Sequence, residues 1–140
     1  MKTIILNLEK LRMTIKTKNF NPETDVKLCC TCGEAGCDKR SVKLMTLNML
    51  QKVREVYGLP MIVTSGGRCP LHKNEKHRIV PADHQKGLGV DIAITGLVMP
   101  MKLIAIASKC GFNAFGINLK AGFIHLGYRP EQNTISVWTY

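Results

Sequence analysis

Apolar residues recur at three- and four-residue steps after Ser41, which is the spacing of one face of an α-helix. The stripe consists of Val42, Met45, Met49, Val53 and Val56. Ser41 can cap the start of the helix, and Gly58 followed by Pro60 ends it. The pattern therefore predicts a helix that begins at Ser41 and packs one stripe on a sheet.

A second apolar stretch begins at Pro100, a residue that suits the first turn of a helix. This helix is predicted to run to about Lys109, and Gly111 closes it. The stretch contains two lysines and a proline, so it falls short of the roughly 20 unbroken apolar residues of a membrane span. We expect no membrane partner.

Period-two alternation predicts a strand from Leu88 to Thr95, with Asp91 on the face opposite Val90 and Ile92. Further strands are predicted at 61–64, 113–119, 123–128 and 135–139, with a tight turn at 120–122. The mixed order of helices and hairpin-linked strands predicts an α+β fold, a small antiparallel sheet packed with helices.

The chain has 140 residues, of which 45% are hydrophobic, so residues 1–140 are predicted to form a single domain. Residues 17–40 have few periodic apolar positions and are predicted to be a cysteine-rich surface segment. Residues 66–86 form a long polar loop, and such loops in small domains are commonly functional.

The formal net charge is +10, which favours a polyanionic partner such as a cell-wall polymer, a nucleic acid or an acidic protein surface. Nucleic acid is the weakest of these, because the basic residues form no long run and only three Tyr and one Trp are available for base stacking. The apolar run within residues 1–10 is too short for a signal peptide, so we expect no export signal.

Four of the six cysteines are crowded together, and without an export signal they favour reduced thiols or a metal knuckle over disulfides. The four are Cys29, Cys30, Cys32 and Cys37. Their spacing differs from a paired CxxC…CxxC zinc site, so an ordered cysteine-rich loop and a second metal site both stay open.

Two histidines and an aspartate form the candidate metal site. His84 precedes Asp91 by seven residues with two glycines between them, and His125 comes from another predicted strand. Taken singly, such a histidine is commonly a satisfied core residue, and such an aspartate can cap a turn. Taken together they offer the nitrogen and oxygen ligands of zinc, and three protein ligands leave a fourth position for water. The small residues on the same strand faces, Gly89, Ala93 and Gly127, suggest a cleared floor, that is, open space beside the ligands for the ion and a substrate.

The runs 62–72, 83–92 and 123–126 resemble the zinc D-Ala-D-Ala carboxypeptidases and the phage L-alanyl-D-glutamate endopeptidases, which share a Hedgehog/DD-peptidase-like fold. That family has a Ser-Gly-x-Arg motif, then Ser-x-His-x2-Gly-x-Ala-x-Asp, then a late His after an apolar residue. The resemblance is to a phage-type member and covers a peptidase-like core at 41–130. It implies that His84, Asp91 and His125 bind Zn²⁺. It also implies that Arg68 binds the substrate carboxylate or steadies the developing oxyanion.

Two carboxylates of the family pattern are absent. The carboxypeptidases have a Glu base three residues before the last His, where this chain has Gly122. Related phage proteins have an Asp two residues after that His, where this chain has Gly127. Asp83 could orient a ligand or serve as a substitute base. Glu75, together with two loop histidines, is a weaker candidate.

The resemblance predicts a zinc metallopeptidase that hydrolyses peptide bonds of bacterial peptidoglycan, as a phage endolysin or virion-associated murein peptidase. Such a protein would reside in the cytoplasm of the infected host or in the virion, with other phage structural proteins as partners in the second case. The missing carboxylates favour an alternative, a catalytically weak or inactive zinc-bearing domain with a cell-wall-binding or phage tail role.

Overall fold

The computed structural model describes residues 15–140; the segment on which the expected lack of an export signal rests lies outside the described residues. The helices are α1 (Leu44–Tyr57) and α2 (Pro100–Lys109), and a 3-10 turn spans Val26–Leu28. The strands are β1 (Val63–Ser65), β2 (Gly89–Ala93), β3 (Ala114–Asn118), β4 (Phe123–Gly127) and β5 (Ser136–Thr139). The predicted α+β class is confirmed. Neither helix has the length and apolar content that crossing a bilayer requires.

The five strands form one sheet in the order β1-β2-β4-β3-β5. The pairs β1–β2, β2–β4 and β4–β3 are antiparallel, whereas β3 and β5 pair in parallel. The small antiparallel sheet that was predicted is therefore mixed, because this one edge pairs in parallel. The chain crosses back after β4 because Asn113, just before β3, holds the connection through bonds to the carbonyls of Arg129 and Gln132. Strand β5 then starts beside the start of β3.

One face of the sheet packs against both helices. The residues that form this contact are fully buried: Leu47, Leu50 and Val53 of α1, Leu103 and Ala107 of α2, and Val90, Ile92, Phe115, Ile124 and Leu126 of the sheet. Burial of so many apolar side chains is the main source of the fold's stability. The opposite face carries the candidate site.

Helix α1 begins three residues later than predicted. Ser41 forms an isolated bridge with Cys29 in extended backbone, so it does not cap the helix. Lys43 is the N-cap and has no side-chain cap bond. The carbonyl of Gly87 takes that role, accepting the Lys43 amide at 3.0 Å and the Thr46 hydroxyl at 2.8 Å.

The buried stripe of α1 also differs from the prediction. Met45 and Val56 are exposed, while Leu47 and Leu50 are fully buried. The helix carries two overlapping apolar stripes, and contact with the sheet decides between them. Such a choice depends on tertiary packing, which helical periodicity alone does not encode.

Residues 17–40 lie only partly on the surface. Phe20 and Leu28 enter the hydrophobic core, and Gln51 of α1 accepts hydrogen bonds from the Thr17 hydroxyl and the Asn19 amide. The segment has no apolar period because it is irregular, yet single large side chains anchor it. The assignment of residues 1–140 to one domain stays a prediction.

Candidate metal centre

The three predicted metal ligands lie together on the face of the sheet opposite the helices. Asp91 on β2 and His125 on β4 are direct partners in the antiparallel register, so their side chains project side by side. His84 ends the long loop just before β2. All three side chains are buried, with 3 to 7% of their surface exposed.

The ligating atoms form a nearly equilateral triangle. His84 Nε2 lies 3.2 Å from Asp91 Oδ1 and 3.2 Å from His125 Nδ1, and the His125 Nδ1 to Asp91 Oδ1 distance is 3.0 Å. A tetrahedral zinc ion with N and O ligands at about 2.0–2.1 Å separates its ligand atoms by about 3.3 Å. The donor set and spacing therefore fit one face of a zinc tetrahedron.

Each histidine is oriented by a hydrogen bond from its other ring nitrogen. The carbonyl of Gly66 accepts from His84 Nδ1 at 2.7 Å, and Asp83 Oδ2 accepts from His125 Nε2 at 2.9 Å. These partners place the ring protons on the outer nitrogens, which leaves the lone pairs of His84 Nε2 and His125 Nδ1 free to face a cation.

The site favours positive charge between its carboxylates. Burial acts to lower the pKa of His125, but Asp83 and Asp91 outweigh it, so the His125 pKa is raised. Burial acts to raise the pKa of Asp91, yet His125 and His84 hold that pKa well below its ordinary value. A buried cation is thus stabilised here, whether a proton or a metal ion.

Both carboxylate oxygens of Asp83 accept hydrogen bonds, and Asp83 contacts the His125 ring nitrogen that points away from the triad. Besides accepting from His125, it receives Arg129 Nε at 3.1 Å on Oδ1 and Arg129 Nη2 at 3.3 Å on Oδ2. A Cβ atom on Gly127 would lie 2.5 Å from Asp83 Oδ2, and one on Gly89 would lie 2.9 Å from Asp83 Cβ. The space above these glycines is therefore filled by Asp83 and His125 instead of being the cleared floor that the sequence suggested.

Arg68 connects the site to the loop. Its Nη2 donates to Asp91 Oδ2 at 3.3 Å, its Nη1 to Glu75 Oε2 at 3.2 Å, and its Nε to the Ser65 hydroxyl at 3.1 Å. Guanidinium has five N–H donors, so these bonds leave two for other partners. Arg68 therefore steadies Asp91 and has two N–H donors outside these three bonds.

Glu75 is buried, with 1% of its surface exposed, although the sequence placed it in a polar loop. Its Oε1 atom has no hydrogen-bond partner; the nearest charged group is Arg78 Nε at 3.4 Å. A buried carboxylate oxygen without a partner is costly and calls for an explanation, such as a water or substrate atom that it would accept.

A cavity of about 560 Å³ lies over the triad. Its walls include Arg68, Glu75, Arg78, Phe123, Arg129, Trp138 and Tyr140. Trp138 rests on Gly116, where a Cβ atom would lie 2.6 Å from the indole Nε1, and its ring centroid is 5.6 Å from that of His125. The cavity combines cationic and aromatic side chains with the carboxylates of Glu75, Asp83 and Asp91.

The model of the peptidase M15 family matches residues 18–127. The chain belongs to the peptidase M15 family. M15 enzymes are zinc-dependent, which assigns this chain to the metallopeptidases and gives it a peptide as its class of substrate. No curated protein and no solved structure matches the chain.

This M15 chain has neither family carboxylate at its expected place. Gly122 lies in the turn before β4 with φ of +78°, and Gly127 ends β4. The matched residues include the cysteine-rich segment but stop before β5.

Arg129 and Trp138 were missed by the sequence analysis, and β5 carries the second of them. Arg129 lies 46 residues from Asp83. A single Arg or Trp has no sequence pattern that indicates a contact with Asp83 or a place in the cavity wall. The tertiary fold brings both residues to the M15 site.

Proposed function

We propose that the chain is a zinc-dependent peptidase that hydrolyses peptide bonds of bacterial peptidoglycan, with His84, Asp91 and His125 as its zinc ligands. The observation that supports this best is the triangle of three buried ligand atoms at 3.0–3.2 Å, with both outer histidine nitrogens bonded to acceptors. Three ligands leave room for substrate or water, as catalytic zinc sites do. Bound zinc supplies a polarised carbonyl and a water of lowered pKa.

The residues around the triad hold the ligands in a fixed geometry. Asp83 and the Gly66 carbonyl fix the two imidazole rings, and Arg68 holds Asp91 by its second oxygen. Such outer contacts typically change metal affinity or activity by about 10- to 100-fold. Asp83 acts here as a positioning residue, because both of its oxygens already accept hydrogen bonds.

Glu75 is the better candidate for the proton acceptor that the family pattern lacks. It lines the cavity, touches Arg68, and keeps one buried oxygen without a hydrogen-bond partner. A carboxylate in this state can take a proton from an attacking water and deliver it to the leaving amine. The general base would thus be supplied by loop 66–86, whereas the family pattern places it in the turn that here contains Gly122.

The cavity walls suit a peptide that carries carboxylates, as peptidoglycan stems do. Arg68 has two uncommitted N–H donors, and Arg78 and Arg129 also line the cavity. Arginine binds carboxylates through paired charge-assisted bonds. The net charge of +10 adds attraction to the anionic wall as a whole.

Digestion of purified peptidoglycan by the zinc-loaded protein tests the proposal, with fragments read by mass spectrometry. New stem or crossbridge fragments are expected, and His125→Ala should abolish them. Equal fragments from the variant would point to a contaminating hydrolase. Zinc bound at one equivalent at the triad with no fragments would defeat the peptidase assignment.

A second candidate is a zinc-bearing domain that binds cell wall, or forms part of a phage tail, without cleaving. The observation that favours it is the glycine at both family carboxylate positions. Sedimentation with peptidoglycan that leaves the polymer intact would support it. The phage-type assignment, with residence in the host cytoplasm or the virion, rests on the sequence resemblance and is tested by searching purified virions for its peptides.

A further inference from the structure

Four cysteines converge at a place separate from the His84 triad. Their Sγ atoms all lie within 4.8 Å of one another, and Cys32 Sγ is 3.6 Å from Cys69 Sγ. The four are Cys30, Cys32, Cys37 and Cys69, which we call the cysteine cluster. The sequence had grouped Cys29 in place of Cys69. The Cys29 thiol instead points to the carbonyl of Pro22, at 3.7 Å.

The backbone imposes this convergence. The Cys30 amide donates to the Arg40 carbonyl at 3.0 Å, and the Gly67 amide donates to the Leu28 carbonyl at 3.0 Å. Gly67 is packed so closely that a Cβ atom would lie 2.2 Å from the Arg40 oxygen. Segment 28–40 is therefore locked against the loop that begins at Gly66, and the thiols meet where the two join.

Backbone amides favour the ionised form of the cluster sulfurs. The Lys39 amide donates to Cys37 Sγ at 3.3 Å. The amides of Cys32, Glu34 and Leu71 act to lower the pKa of Cys30, Cys32 and Cys69 respectively. Amide donors stabilise thiolates over thiols, because they point positive dipoles at the sulfur.

The four thiols compete for negative charge when no cation is among them. Burial acts to raise the pKa of Cys69, but an amide and the neighbouring thiols outweigh it, so this pKa is lowered. The Glu34 amide acts to lower the pKa of Cys32, yet burial and the other three thiols raise it to about 12. A divalent cation would remove this competition, since it stabilises every thiolate together.

We propose that Cys30, Cys32, Cys37 and Cys69 bind a second zinc ion, in a closed structural site. Zinc with four thiolates at about 2.3 Å separates the sulfurs by about 3.8 Å, close to the spacing of the cluster. Four protein ligands leave no position for water, so the site is structural. It fastens segment 30–37 to Cys69, which directly follows Arg68 in the candidate metal centre.

Zinc content of the reduced, zinc-loaded chain tests the proposal by elemental mass spectrometry. Two equivalents are expected for the unchanged protein, and one after His84→Ala combined with His125→Ala. In that double variant, X-ray absorption should show a shell of four sulfurs at about 2.3 Å. This readout is independent of peptidase activity, so it stands or fails apart from the proposed function.

Substitutions of single cysteines sharpen the test. Cys37→Ser should lower the zinc content by one equivalent, whereas Cys29→Ser and Cys110→Ser, which lie outside the cluster, should leave two. Should Cys37→Ser fail to fold, alkylation of the unchanged protein decides. Zinc should protect the four cluster thiols and leave Cys29 and Cys110 reactive. Absence of zinc from the double variant His84→Ala with His125→Ala, or a Cys32–Cys69 disulfide under reducing conditions, would overturn the proposal.

Discussion

Asp83 occupies the volume into which a side chain at position 127 would project, since a Cβ there would lie 2.5 Å from its Oδ2 atom. In the phage endopeptidases that the sequence resembles, an aspartate stands at this second position after the last histidine. The same negative charge therefore reaches the site from the loop in this chain, and Gly127 is required because Asp83 and His125 both lie within 3 Å of where its Cβ would be. The two positions are expected to vary together.

Asp83→Asn is expected to lower zinc affinity at the triad by about 10- to 100-fold, because His125 loses a charged partner for its outer nitrogen. Competition with a chelator measures the change, and Glu23→Gln, at an exposed carboxylate, is the matched control. Gly127→Asp alone should also weaken the site by crowding Asp83. Combined with Asp83→Ala it should recover only part of the affinity, because a Cβ at position 127 would still lie 2.8 Å from His125 Nε2. No recovery at all would mean that the two carboxylates are not equivalent.

Glu75→Gln is expected to lower kcat by about 10²- to 10⁴-fold, because the amide cannot accept the proton of the attacking water. Zinc content and KM should change little, since the amide oxygen can still accept from Arg68. Turnover on peptidoglycan fragments measures the effect, with Asp83→Asn as the comparison. Unchanged kcat in Glu75→Gln would remove the assigned role.

Strand β5 forms one wall of the cavity, and its position depends on the absence of a side chain at Gly116. A methyl group there would meet the Trp138 indole at 2.6 Å. Gly116→Ala is therefore expected to displace Trp138 and raise KM several-fold while zinc stays bound. Gly96→Ala, where a Cβ meets nothing within 4 Å, is the control. Equal KM values in both variants would show that β5 does not contact substrate.

The sequence predicted α2 closely because Pro100 and Gly111 mark its ends with local chemistry. It misplaced the start of α1, where Ser41 looks like a cap but is held in a bridge by Cys29. It also missed the parallel pairing of β5, which depends on Asn113 holding a distant connection. Local sequence signals therefore predicted an element correctly where no contact with a distant part of the chain overrode them.

The candidate site shows the same division. Spacing and resemblance named His84, Asp91 and His125, which the structure brings together. Asp83 was named with two possible roles, and its contacts with Arg129 and His125 favour the positioning role. Arg129 and His125 are 46 and 42 residues away from Asp83 along the chain, so no local pattern could reveal them.

At the scale of the whole molecule, the metal-free protein should have a stability maximum in weakly acidic solution. The Asp91 pKa is depressed below 3.8, so its contribution is present above that value and is lost as the pH falls through the folded-state pKa. The His125 pKa is raised above 6.5, so its contribution is present below that value and is lost as the pH rises through the folded-state pKa.

Thermal unfolding after chelation, followed from about pH 5 to about pH 9, measures this dependence. The Tm of the metal-free protein is expected to fall on the alkaline side. The zinc-loaded protein should keep its Tm there, because zinc takes the place of the proton on His125. Parallel curves for the two forms would contradict this account of the site.

The Gly87 carbonyl has a further consequence, since it caps α1 and lies at the end of the turn that carries His84. Opening of the metal-holding turn therefore exposes the amide of Lys43, the N-cap residue of α1, to solvent. Deuterium uptake at Lys43 should slow when zinc is added, although Lys43 is the N-cap of a helix that holds none of the ligands. A backbone position at the head of a core helix thus becomes a reporter of occupancy at the triad, readable without any substrate.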